Sequence, residues 1–169
     1  MKKLALALAL CGAASAFAQT PAATPAPPPP PARGPAFDLA LEAALGALDA
    51  CTARQQKASV SVVDSAGVLK VLLAGEGAHA RGVASSTAKA ITALNFQSAT
   101  SKLGEQAKTD KALADKIAAN PAFNARGGGL TLVAGGTVIG AIGVGGARGS
   151  DVDEACAQAG LTLIQNRLQ

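Results

Sequence analysis

The chain has 169 residues and a formal net charge of +4, with 49% hydrophobic residues but only 2% aromatic, and neither Trp nor Tyr. With no lysine–arginine cluster and no Trp or Tyr to stack on bases, it does not read as a nucleic-acid-binding protein. One histidine and three cysteines leave too little material for a His-based catalytic set or a zinc site of ordinary spacing.

The first eighteen residues read as a secretory signal peptide. Met1-Lys2-Lys3 is a positive start, Leu4 to Ala14 is uncharged, and Ala16-Phe17-Ala18 offers small residues for cleavage before Gln19. The apolar run is too short to span a bilayer. A lipid-anchored reading of Cys11 is disfavoured, because bulky Leu10 precedes it. A periplasmic or secreted protein is expected, with no membrane attachment after cleavage. Loss of Lys2 and Lys3 would lower the formal charge from +4 to +2. Residues 19–36 hold eight of the nine prolines and no acid, which predicts an extended, polyproline-II-like linker. Residues 37–169 then form one domain large enough for its own core.

Within that domain Phe37 to Gln56 has helical spacing, with Phe37, Leu41, Ala44, Leu45, Leu48 and Cys51 as the apolar face. Val60 and Val62 alternate with serines, Asp64 to Gly67 turns, and Val68 to Ala74 returns as a second strand. Gly75 to Gly82 reads as a loop. Val83 to about Gln97 reads as a helix that buries Val83, Thr87, Ile91 and Leu94, with Lys89 to the side and polar Thr100-Ser101-Lys102 ending it. A short helix runs from Asp110 to Asn120, before Pro121. Arg126 to Gly149 contains ten of the 19 glycines, and two apolar runs around Gly135-Gly136 predict a hairpin with a primed turn. Gly140 and Gly143 within the second run imply close approach of a helix, another subunit or a flat ligand. Ser150 to Asp153 carries a capping-box pattern and opens a last helix with Val152, Cys156, Ala159 and Leu163 inward. This order predicts an α+β domain, an antiparallel sheet with helices covering one face.

Few residues suggest chemistry. Asp64 reads as a turn residue bonding its own backbone, and Asp153 and Glu154 as acids favouring a helix N-terminus. Gly127-Gly128-Gly129 offers backbone N–H groups to an anion, though it leads into a strand. His79 sits in a glycine-rich loop, either solvated or free to meet a metal or haem iron. Lys89 is either a surface lysine or a partner for a propionate or phosphate. Cys51 and Cys156, each on an apolar helix face, are either two buried thiols or, in an oxidising compartment, a disulfide.

Taken together, Val60 to Leu69, Lys89 to Ala93 through Phe96 and Thr100, Gly127-Gly128-Gly129, Val138 to Ala147 and Asp153 to Leu161 resemble the GlcG/HbpS-like family, formerly a domain of unknown function and now called haem-binding or haem-degrading. The resemblance covers Phe37 to Gln169 and implies a profilin-like fold that assembles into homo-oligomers. Secreted relatives bind haem and are linked to redox sensing, while others sit near glycolate metabolism or are fused to cobalamin adenosyltransferases. A threonine is implicated at the iron in haem-binding relatives, and Thr100 is the matching position. The chain departs from the family where an Arg-x-Asp-Gly-Ala turn is common, reading Leu73-Ala74-Gly75-Glu76-Gly77-Ala78 instead. His79 gains nothing from the resemblance.

The resulting expectation is a haem or tetrapyrrole binder with Thr100 or His79 approaching the iron and Lys89 on a propionate. Gly128 and Gly143 would leave room for the ring. The alternatives are a weak redox or haem-degrading enzyme, and an oligomeric partner-binding module with no small ligand.

Overall fold

A computed structural model describes residues 31–169; the expected signal peptide, with Cys11, and the linker up to Pro30 lie outside the described residues. The elements are α1 (Phe37–Thr52), β1 (Ser59–Asp64), β2 (Leu69–Ala74), α2 (Ala80–Phe96), α3 (Thr100–Gln106), α4 (Lys111–Ala118), β3 (Gly129–Ala134), β4 (Thr137–Gly145) and α5 (Ser150–Ile164), closed by a 3-10 turn at Gln165–Arg167.

Four antiparallel strands form one sheet in the order β2-β1-β4-β3. Two hairpins are thus joined along β1 and β4, with Ser61 opposite Gly143 and Val62 opposite Ile142. Gly135 and Gly136 both take positive φ, 54° and 78°, as a primed turn requires. At the other hairpin Asp64 Oδ1 accepts from the N–H groups of Ala66 and Val68, at 2.9 and 3.0 Å, so the side chain holds its own turn.

Helices cover both faces of the sheet rather than one. On one side α1 and α5 pack together over Val60, Val62, Leu130, Leu132, Ile142 and Val144. On the other α2 lies over Val63 and Ala141 through Ala90 and Ala93. Ser61 Oγ bonds Ser86 Oγ and Thr87 Oγ1, both at 2.9 Å, across the second interface. A side chain at Gly143 would run into the backbone of α2 at Ser86 and Ala90. The close neighbour implied by that glycine is therefore a helix of the same chain, and Gly143 is buried beneath it.

The apolar faces of three helices are rotated from the sequence expectation. In α1 the buried residues are Ala40, Ala43, Ala44, Ala47 and Cys51, while Phe37 is 61% exposed and Leu45 45%. In α2 they include Ser86, Ala90 and Ala93, while Ile91 and Leu94 sit half-buried at the margin. In α5 they are Asp153, Cys156, Ala157, Gly160 and Ile164, with Leu163 52% exposed. Under α2 the sheet surface is built from Gly143, Ala141 and serines and admits only small residues. On the other side α1 and α5 approach each other closely at Gly160, where a Cβ would meet the Ala43 carbonyl and Ala47. On both sides small side chains turn inward and several large apolar ones turn out. Thr100 also does not end a helix: α2 stops at Phe96, Gln97 takes φ +49°, and Thr100 opens α3.

Cys51 at the end of α1 and Cys156 in α5 are joined, with Cα atoms 5.5 Å apart and a sequence separation of 105. The bridge ties the first helix of the domain to the last.

Candidate functional site

The end of β4 and the start of α5 meet the middle of α2 at Lys89. This side chain is only 2% exposed. Its Nζ donates to Asp153 Oδ2 at 2.7 Å and to the Val144 carbonyl at 3.0 Å. Asp153, 4% exposed, accepts from the Ala147 N–H through its other oxygen at 3.0 Å. Burial pulls the Lys89 ammonium below the ordinary lysine value, and the bond and charge of Asp153 push back. Lys89 is therefore neither a surface lysine nor free to meet a ligand's carboxylate; it is an internal tie between α2 and α5. The capping-box expectation also fails, since Gly149 is the N-cap of α5, without a side-chain bond, and the Asp153 carboxylate faces Lys89 instead.

Gly128 is part of the same arrangement. Its φ is +122°, and a Cβ there would come within 2.9 Å of Lys89 Nζ, 2.8 Å of Asp153 Cβ and 2.7 Å of the Val144 carbonyl oxygen. Only glycine suits this position. Its N–H donates to Glu154 Oε2 at 3.2 Å, and the Gly129 N–H donates to Thr100 Oγ1 at 2.8 Å. Two of the three N–H groups of the glycine loop are thus taken by the protein's own oxygens and are not open to an external anion. Glu154 also accepts from Ser101 Oγ at 2.7 Å. Thr100 is fully buried, its hydroxyl engaged with the Gly129 backbone rather than open to an iron.

Two clefts open above this floor. One, about 350 Å3, is walled by His79, Arg81, Ser85, Asn124 and Arg126, together with Gly146, Ala147, Gly149 and Ser150. The other, about 640 Å3, lies between α3, α5 and residues 125–127, with Gly104, Ala125, Gly127 and Ala155 as its small residues and Glu105, Asp151 and Glu154 as its acids. Arg126 and Ser150 wall both clefts, and the Arg126 Nε–H donates to Ser150 Oγ at 3.3 Å across their boundary. Among the described residues neither Arg81 nor Arg126 has a carboxylate partner.

His79 is not a free loop residue but the N-cap of α2, its Nδ1 accepting from the Gly82 N–H at 3.0 Å. One ring nitrogen is thus turned to the backbone of α2, and Nε2 is the ring atom left to meet a ligand. The structure brings His79 and Lys89 to one cleft, Lys89 as its buried floor, while Gly128 lies just behind and Thr100 and Gly143 are interior.

The sequence reading missed Arg81, Arg126 and the pairing of Asp153 with Lys89. Asp153 had a signal: it is in phase with Cys156, Ala157, Gly160 and Ile164, the buried stripe of α5. The arginines had none, because they belong to a helix start and a loop.

A family model described as haem degrading protein, HbpS-like, matches residues 36–162. The crystal structure of HbpS is 30% identical, with 88% of this chain and 99% of that one covered and a TM-score of 0.72. A double mutant of Streptomyces reticuli HbpS is 32% identical, with 83% and 99% covered and a TM-score of 0.71. PduOC, crystallised as a complex with haem, is 23% identical, with 76% and 94% covered and a TM-score of 0.70. No curated protein sequence matches significantly.

Proposed function

The chain belongs to the HbpS-like family, and from that premise we propose that it binds a haem-type tetrapyrrole outside the cytoplasm, in haem handling or redox sensing. The observation that carries the reading is the pair of adjoining clefts in which an imidazole and two arginines, without ion-pair partners among the described residues, face a space lined partly by glycine and alanine. PduOC, which shares the fold, has been crystallised with haem. A tetrapyrrole with acidic side arms suits this face: its flat body meets small residues, its carboxylates meet guanidinium groups.

Iron ligation by the protein does not fit the same residues. Among the described residues the two cysteines are bridged, Thr100 is buried, and His79 Nδ1 is turned to the Gly82 N–H as the cap of α2. We therefore assign no axial ligand. Export rests on the Met1–Ala18 pattern, and N-terminal sequencing of the protein from a periplasmic or culture fraction should read from Gln19. Self-association rests on the outward Phe37, Leu45 and Leu163; a Leu45→Lys/Leu163→Lys variant should lose mass in light scattering, and an unchanged mass would remove these residues from any interface.

The test is a haemin titration of the purified protein, followed by absorbance. A saturable, shifted Soret band supports the reading, whereas broadening without saturation sinks it. Because the family description is of haem degradation, the same sample is followed with reductant and oxygen present. A band that bleaches with release of iron favours the enzyme, and a stable band favours the binder.

A further inference from the structure

We propose that this site recognises its ligand by its carboxylates and not by its metal, with His79, Arg81 and Arg126 as the carboxylate clamp. This rests on the tetrapyrrole reading above and specifies its ligand as any flat macrocycle bearing acidic side arms, with or without iron.

Three observations converge on it. The first is the capping geometry: His79 Nδ1 lies 3.0 Å from the Gly82 N–H, which the His79 carbonyl also accepts at 2.8 Å. One ring nitrogen is thus turned to the backbone of α2, and Nε2 is the ring atom left to meet a ligand oxygen. The second is the distribution of charge between the clefts. Arg81 lines the smaller one and Arg126 stands between the two, neither with an ion-pair partner among the described residues, and the carboxylate lining the smaller cleft, Asp153, is buried and paired to Lys89. The larger cleft is lined by three acids, Glu105, Asp151 and Glu154, against Lys108 and the shared Arg126. Lys108 is spent on Glu105, and Glu154 accepts from Ser101 and Gly128, so its balance remains acidic and disfavours an anion. A ligand with an uncharged body and acidic arms thus has one favourable orientation: arms toward the arginines, body against Gly104, Ala125 and Ala155. The third is the partition itself. Arg126 and Ser150 separate the clefts through a single bond of 3.3 Å, a weak contact by its length. Exchanging that neutral acceptor for a carboxylate strengthens the bond at Arg126 and joins the clefts into one groove.

The experiment compares four ligands, haemin, metal-free protoporphyrin and the dimethyl ester of each, binding to the purified wild-type protein and to Arg126→Gln, with thermal unfolding recorded for both. Arg126 is exposed, so the variant should melt with the wild type. Metal-free protoporphyrin should bind within about threefold of haemin. Both esters should bind roughly tenfold or more weakly, and Arg126→Gln should weaken the acids about tenfold while leaving the esters unchanged, the loss of one charge-assisted contact. Haemin binding more than tenfold tighter than the metal-free acid would show that the iron carries recognition and overturn the proposal while leaving the tetrapyrrole reading intact. Esters equal to acids, or an Arg126→Gln variant with unchanged affinities, would overturn it too. If no tetrapyrrole binds wild type, the tetrapyrrole reading itself falls and takes this proposal with it.

Discussion

Replacing Lys89 with methionine tests the internal tie on which the site rests. Methionine keeps most of the buried stem, so the change is one of charge and hydrogen bonding and not of volume. It strands Asp153 Oδ2 and the Val144 carbonyl, which lose bonds of 2.7 and 3.0 Å in a region where Lys89 is 2% and Asp153 4% exposed. Removing one partner of a buried ion pair costs about 3–5 kcal/mol, because the other charge stays buried and uncompensated. The described domain runs from residue 31 to 169, or 139 residues, and unfolding entropy of about 2.1 cal/mol/K per residue sums to about 0.3 kcal/mol/K. A loss at the low end, about 3 kcal/mol, should therefore lower the melting temperature by about 10 °C. The assay is thermal and urea unfolding of wild type, Lys89→Met, Asp153→Asn and the double variant. The double variant should recover at least about 1.5 kcal/mol relative to additivity, since it leaves no stranded charge. A single-variant cost below about 1 kcal/mol, or effects additive to within about 0.5 kcal/mol, would refute the argument and reduce the pair to the worth of a surface bridge.

The same lysine sets a pH dependence. Its native pKa lies below the ordinary value, so between the two the unfolded chain holds more protons and stability rises with pH; this contribution is complete above the ordinary lysine value and lost as pH falls through the native one. Urea unfolding across the alkaline range should show the rise in wild type and not in Lys89→Met. Gly128→Ala places a Cβ against Lys89, Asp153 and Val144 at a φ of +122° and should cost about 2 kcal/mol or more in the same assay. Thr100→Val strands the Gly129 N–H and should cost about 1–3 kcal/mol; a neutral effect would mean that water replaces the hydroxyl. Reducing the Cys51–Cys156 bridge, whose ends lie 105 residues apart, should remove up to about 4.7 kcal/mol in the chain-entropy model, read as a melting shift with and without dithiothreitol.

Local chemistry was legible in the sequence wherever one residue's backbone decides the outcome. Gly135-Gly136 turns because both residues take positive φ, and Asp64 holds its own turn. Helical period was legible for α1, α2 and α5, but phase was not. Phase follows what the facing surface will accept, and β4 presents Ala141 and Gly143 to α2. The hydrophobic rule assigns Ile91 and Leu94 inward; the available depth assigns Ser86 and Ala90. The glycines that implied a close neighbour contained this information, since a helix that approaches a glycine strand closely must itself be lined with small residues.

The candidate site was less legible because it is made by closure of distant segments. His79 and Arg81 come from the start of α2, Asn124 and Arg126 from the loop before β3, and Ser150 from the start of α5. No spacing in the chain places these side by side. What does so is the tie beneath them: Lys89 holds the Val144 carbonyl and Asp153, Asp153 holds the Ala147 N–H, and the segment from β4 to α5 is thereby fastened to α2. A buried charged pair that adds little net stability still selects one arrangement of the elements it joins, as a charge can be satisfied in few places. On this argument the Lys89→Met/Asp153→Asn variant, assayed well below its melting temperature, should bind haemin more weakly than wild type, because its clefts are no longer held in register. Wild-type affinity in that variant would show that packing alone positions His79, Arg81 and Arg126, and would confine the pair to a role in stability.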